Sequence, residues 1–160
     1  MKKGCIAALV VLALLISPFF IHPLLNNRRL RQVENSFAQL KHPAQSTLVR
    51  RVSDVGLLIG NSNHCDFFVG ELRSYTGTQQ QILNFYKRSQ TWHSLPDTGQ
   101  AGKHIVFVSQ GVIPKSAHLP YGYQKSEDWS ITSQMKRQQL YLVYFLDVGV
   151  MNAGCDLRCT

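Results

Sequence analysis

Cysteine is the residue type in this chain most suited to chemistry, and four are present: Cys5, Cys65, Cys155 and Cys159. Cys5 falls inside an apolar run and is set aside. The other three have polar neighbours, in His64-Cys65-Asp66 and in Gly154-Cys155-Asp156-Leu157-Arg158-Cys159. In an exported domain of this size, cysteines of this kind make structural disulfides. Joining Cys65 to the tail closes a loop of about ninety residues, worth roughly 4 kcal/mol of chain entropy. Cys155 and Cys159 in extended chain stand about 13 Å apart, too far to bond each other unless 156–158 turns tightly. The sequence therefore predicts a structural bridge from Cys65 to Cys155 or Cys159, with the third cysteine free or paired between molecules.

Two other chemistries compete for the same residues. Cys65, Cys155, Cys159 and one histidine are the right types for zinc, and C-x3-C has a suitable gap. Only one such pair exists and no histidine stands at a paired spacing, so no metal is assigned. A nucleophilic Cys65 needs a base beside it in space. In a strand, His64 and Asp66 face away from Cys65, so the base would have to be His93, His104 or His118. No catalytic residue is assigned; Cys65 reads as a bridged cysteine with Asp66 capping nearby backbone. Glu127-Asp128, the one adjacent acidic pair, reads as a solvated loop. Gly60-Asn61-Ser62-Asn63 could cradle an anion, but no glycine-rich phosphate fingerprint surrounds it. With no dinucleotide motif and no haem-attachment C-x-x-C-H, no cofactor is expected.

The element that must position these residues is an apolar run over 5–25, broken only by Ser17, Pro18, His22 and Pro23. It follows Met1-Lys2-Lys3 and matches the roughly twenty residues that a membrane-crossing helix requires. Ser17-Pro18 reads as a helix break. No small-residue pair of the kind that marks signal cleavage appears between Ser17 and Asn26, and Cys5 stands at the start of the run instead of ending it as in a lipoprotein. The segment reads as an uncleaved signal anchor. Lys2 and Lys3 on one side nearly balance Arg28, Arg29 and Arg31 on the other. The short basic head and the cysteines favour an amino end inside and a body outside, at a bacterial inner membrane facing the periplasm.

The net charge of +8 invites a nucleic-acid reading, which its distribution opposes. Residues 26–51 carry six basic side chains against one acidic, whereas 52–160 carry nine against eight. A nucleic-acid module needs its basic face on the folded body. Here the excess sits beside the apolar run, where Arg28, Arg29 and Arg31 could rest on anionic lipid at about 1 kcal/mol each; a solvated linker face is the alternative.

Leu30, Val33, Phe37 and Leu40 recur at helical spacing and predict an amphipathic helix over 26–40, closed by Pro43. It would pack on its own domain or lie on the bilayer; it is too short for a coiled coil. Strands are predicted at 47–59 and 65–75, a hairpin about the Gly-Asn-Ser-Asn turn, with a helix through Leu48, Val52, Val55 and Ile59 as the alternative. Thr78-Gln79-Gln80-Gln81 is a capping box opening a helix over 78–89. A loop follows at 95–99, then a strand in 104–113 whose Ile105-Val106-Phe107-Val108 suggests burial on both faces. Residues 116–128 read as a loop exposing Tyr121 and Tyr123, residues 129–133 as a short strand, and 139–148 as the central strand.

The expected fold class is α+β: an N-terminal transmembrane helix (1–25), a basic amphipathic helix and linker (26–46), and one extracytoplasmic domain (47–160) with a mainly antiparallel sheet and a helix on one face. The expected function is a membrane-anchored binding or assembly module of the bacterial cell envelope. Its expected partners are membrane lipid and another envelope protein, not nucleic acid. The alternative is a small thiol- or zinc-dependent enzyme using Cys65 with Cys155 and Cys159.

Overall fold

The computed structural model describes residues 2–60, 64–93, 101–152 and 154–160. Its order is α1 (Lys2–Ala38), β1 (Ser46–Gly56), β2 (His64–Tyr75), α2 (Gln79–Arg88), the short α3 (Gln90–His93), β3 (Ala101–Val108) and β4 (Gln139–Asn152). The fold is α+β, with a four-stranded antiparallel sheet in the order β1-β2-β4-β3.

α1 corrects the sequence reading in one respect. The apolar run and the amphipathic stripe form one helix of 37 residues, with Pro18 and Pro23 inside it and no break at Ser17-Pro18. A proline removes the hydrogen bond to the carbonyl four residues earlier. For Pro18 that carbonyl is Leu14, and the Ser17 hydroxyl donates to it at 3.0 Å. The neighbouring side chain thus satisfies the acceptor that the proline leaves open, as helices in apolar surroundings require. The stretch Leu9–Ala38 is long and apolar enough to cross a membrane, and its apolar window is almost wholly unburied.

The second half of α1 belongs to the domain core. Val33, Phe37 and Leu40 are buried against Val69, Tyr75, Tyr141, Val143 and Phe145 of β2 and β4, joined by Ile82 and Tyr86 of α2. The alternation of β4 follows the sequence reading: Tyr141, Val143 and Phe145 meet the helices, while Leu140, Leu142, Tyr144 and Leu146 line the other face. That second face is covered by segment 109–138, through Ile113, Leu119, Trp129 and Ile131. α2 has the expected capping box, Thr78 Oγ1 accepting from Gln81 N–H and Gln81 Oε1 accepting from Thr78 N–H.

Three expectations are corrected. Among the described residues β3 pairs only with β4 and forms an edge, and its apolar run is half-buried except at Val108. A solid apolar run supplies side chains to both faces without revealing how many neighbours the strand has. Residues 129–133 make no strand: Trp129 ends a 3-10 turn and Ser130 sits in the left-handed region at φ 54°. The Trp129 ring fills the second core, and its indole N–H donates to the Tyr123 carbonyl. Tyr121 is exposed, but Tyr123 is half-buried with its hydroxyl donating to Asp54. The 95–99 loop and residues 61–63 of the Gly-Asn-Ser-Asn turn lie outside the described residues.

Candidate functional site

The sequence-predicted cysteines lie at one corner, where the apolar half of α1 meets the start of β2 and segment 154–160. Cys65 and Cys159 lie at disulfide distance, with sulfurs 1.96 Å and Cα atoms 4.8 Å apart, and both side chains are fully buried. Cys155 is a half-buried free thiol.

Polar contacts hold the segment to α1. Buried Asn26 donates from Nδ2 to Asp156 Oδ2 at 2.8 Å and approaches Cys65 Sγ at 3.0 Å. The Arg158 guanidinium grips Asp156 from Nε and Nη2, at 2.9 and 2.7 Å, and reaches Asn27 Oδ1 from Nη1 at 2.9 Å. Such a fork is among the stronger polar contacts in proteins. The hydrogen bonds from Arg158 hold the Asp156 carboxyl down to about 2, against the opposing effect of its burial, and Asn26 adds to the lowering. His22 Nδ1 accepts the Cys155 amide at 2.7 Å. Two glycines make room: a Cβ at Gly56 would stand 2.8 Å from the Arg158 carbonyl, and one at Gly154 (φ 54°) would overlap the His22 ring.

Cys65, Asp156 and Cys159 place one donor atom each within 4.8 Å of one another, the types a metal site uses. A metal needs deprotonated thiolates, and these two sulfurs are at bonding distance from each other. The donor set as folded does not fit an ion. Nor, among the described residues, does the geometry bring His64, His104 or His118 to Cys65 as a base. His64 turns to Asp66, Nε2 to Oδ1 at 3.0 Å, and the His104 ring stacks on Tyr144. His118 is exposed, and the side chain of His93 lies outside the described residues. Asp66 is buried and accepts the amides of Leu58, Ile59 and Gly149, between 2.8 and 3.1 Å.

No family model, curated protein or solved structure matches this chain.

The three arginines beside the apolar run separate. Arg28 and Arg31 are exposed, whereas Arg29 turns to the domain and pairs with buried Asp147 at 3.6 Å. Glu127 is exposed, and Asp128 accepts the Lys125 amide.

A second polar cluster lies at the far end of the sheet. Fully buried Glu71 is paired with Arg51 and Arg73 and is 3.3 Å from His42 Nε2. Burial dominates over the attraction of Glu71 and drives the His42 imidazole down to about 4, so it is neutral at pH 7. A neutral ring in this position donates from Nε2 to Glu71 and accepts at Nδ1 from the Tyr86 hydroxyl at 2.8 Å; Tyr86 in turn meets the Tyr141 hydroxyl at 3.0 Å. The network satisfies buried groups that would otherwise cost on the order of 1–3 kcal/mol each.

Sequence reasoning missed His22, Asn26, Asp156 and Arg158 as partners. A signal was present: Asn26 stands four residues before Leu30, and His22 four before Asn26, so both extend the buried stripe of α1. Nothing in the linear pattern connects Asp156-Arg158 to that stripe, because their contacts span about 130 residues.

Proposed function

We propose that the protein is a single-pass, membrane-anchored binding or assembly module of the bacterial cell envelope, with its domain outside the cytoplasm. The observation that carries this reading is the continuity of α1. From Ile6 to Leu25 its large apolar side chains are 46–67% exposed, yet Val33 and Phe37 of the same helix are core residues. Burying each such side chain stabilises by about 1.5–3 kcal/mol, so the domain does not detach from the helix without unfolding. A domain joined this way stands at a fixed attitude to the bilayer, which suits contact with a neighbour in the same envelope. The alternative thiol or zinc enzyme requires Cys65 and Cys159 as free thiols.

Full-length protein expressed in a bacterium should stay in the membrane pellet after a carbonate wash, at the mass of the uncleaved chain. A soluble product beginning near residue 20–26 sinks the anchor. A periplasm-active reporter fused after Thr160 should be active, and its silence reverses the orientation. Affinity pull-down from detergent-solubilised membranes, followed by thiol titration of the folded protein, separates the two functions. Co-purifying envelope protein with Cys65 and Cys159 unreactive supports assembly; reactive thiols at both positions support the enzyme.

A further inference from the structure

We infer a binding site for an anionic phospholipid in the cavity between Leu58-Ile59, just after β1, and residues 113–125. The cavity has a volume of about 500 Å³, within the usual range for ligand sites. Its apolar wall includes Leu58, Ile59, Ile113, Ala117 and Leu119, all packed on the second core. Its rim carries Lys115, His118 and Lys125, all exposed, and among the described residues no acidic one lines it. An apolar cleft with cations at the mouth fits a molecule with an acyl chain and an anionic headgroup.

Position decides the source of that molecule. β2 runs alongside α1, so that Asn26 meets Cys65 at one end and Phe37 and Leu40 pack with Tyr75 at the other. Residues 57–60, which follow β1, are therefore at the end nearest the apolar half of α1. Arg158 ties the two together: its carbonyl accepts the Leu57 amide at 2.7 Å, while its guanidinium reaches Asn27 Oδ1 and the Pro23 carbonyl. The Leu58 carbonyl then accepts the Tyr121 amide at 3.3 Å, and the Tyr121 side chain is 68% exposed at this edge. With α1 in a bilayer, the cavity stands beside the headgroup layer, where tyrosine is enriched and lysines attract anionic lipid. The site rests on the proposed membrane anchor, and it adds an acyl-holding contact distinct from Arg28 and Arg31.

The test uses full-length protein in a neutral detergent and native mass spectrometry, titrating phosphatidylglycerol and phosphatidylcholine of equal chain length. Phosphatidylglycerol should bind more tightly. The exposed pair Lys115→Gln/Lys125→Gln should weaken it about thirtyfold, from two lost cationic contacts near the headgroup. The same neutralisation on the opposite face of the sheet, at the exposed pair Lys41→Gln/Arg88→Gln, should leave it unchanged. Glycerol phosphate, a headgroup without chains, should not compete, and a fatty acid of the same length should compete poorly. Equal binding of both lipids, no effect of the rim pair, or equal weakening by the opposite-face pair overturns the site; effective competition by fatty acid overturns the phospholipid assignment. Matching thermal unfolding of both variants shows that the fold is intact. Because binding is read in detergent, a protein that stays in the carbonate-washed pellet but shows no lipid preference loses only this site.

Discussion

Removing the Cys65–Cys159 bridge tests how the corner is held. The two residues are 94 apart in sequence, and closing a loop of that length removes unfolded-state entropy worth about 4.7 kcal/mol. The Asp156–Arg158 fork and the Asn26 contacts keep the segment docked in the native state, but they do not constrain the unfolded chain. They therefore cannot replace this term. Cys65→Ser/Cys159→Ser should lose about 2–5 kcal/mol, the usual cost of deleting such a staple. With a urea slope of about 2 kcal/mol per molar, the midpoint should fall by about 2 M. Trp129, fully buried, makes the transition visible by fluorescence of full-length protein in mild detergent. Reductant on the wild type should reproduce the double variant, and Cys155→Ser should leave the midpoint in place. A midpoint that survives both reduction and the double substitution would refute the bridge as a structural staple; a drop with Cys155→Ser alone would point to the other tail cysteine.

Other perturbations separate the remaining contacts. Asp156 has a folded pKa of about 2 against an ordinary 3.8, so its contribution is fully present above pH 3.8 and is lost as pH falls through about 2. It amounts to about 2 kcal/mol, and Asp156→Asn should flatten stability-versus-pH curves between pH 4 and 2. His42 is lowered from 6.5 to about 4; its neutral form favours the fold, so this share of stability is complete above pH 6.5 and declines as pH falls towards 4. His42→Gln should remove that decline in urea titrations at pH 7 and 5. Phe37→Ala, at a fully buried site, should cost about 3–5 kcal/mol, whereas Phe19→Ala in the exposed half of the same helix should leave unfolding of the domain unchanged. Thr78→Ala should lower stability by about 1 kcal/mol through loss of the cap, and an unchanged thermal midpoint would rule the capping box out as a contributor.

Local physics made much of this protein readable from the chain alone. Apolar length marked the first helix, the 3-4-3 spacing of Leu30, Val33, Phe37 and Leu40 its buried stripe, and the period of two in 139–148 a strand between two cores. Thr78 and Gln81 were legible because a capping box is complete within four residues. Tertiary structure decided what depends on neighbours distant in sequence. Pro18 could not be judged a break without the Ser17 hydroxyl lying over the Leu14 carbonyl. Ile105-Val106-Phe107-Val108 could not be assigned to an edge, because strand order is not written in a strand's own composition. Nor could linear spacing choose between Cys155 and Cys159. That choice followed from Asp156, Arg158 and Asn26 meeting at the end of β2, where burial and paired hydrogen bonds set the path of the chain and leave the Cys159 sulfur beside Cys65.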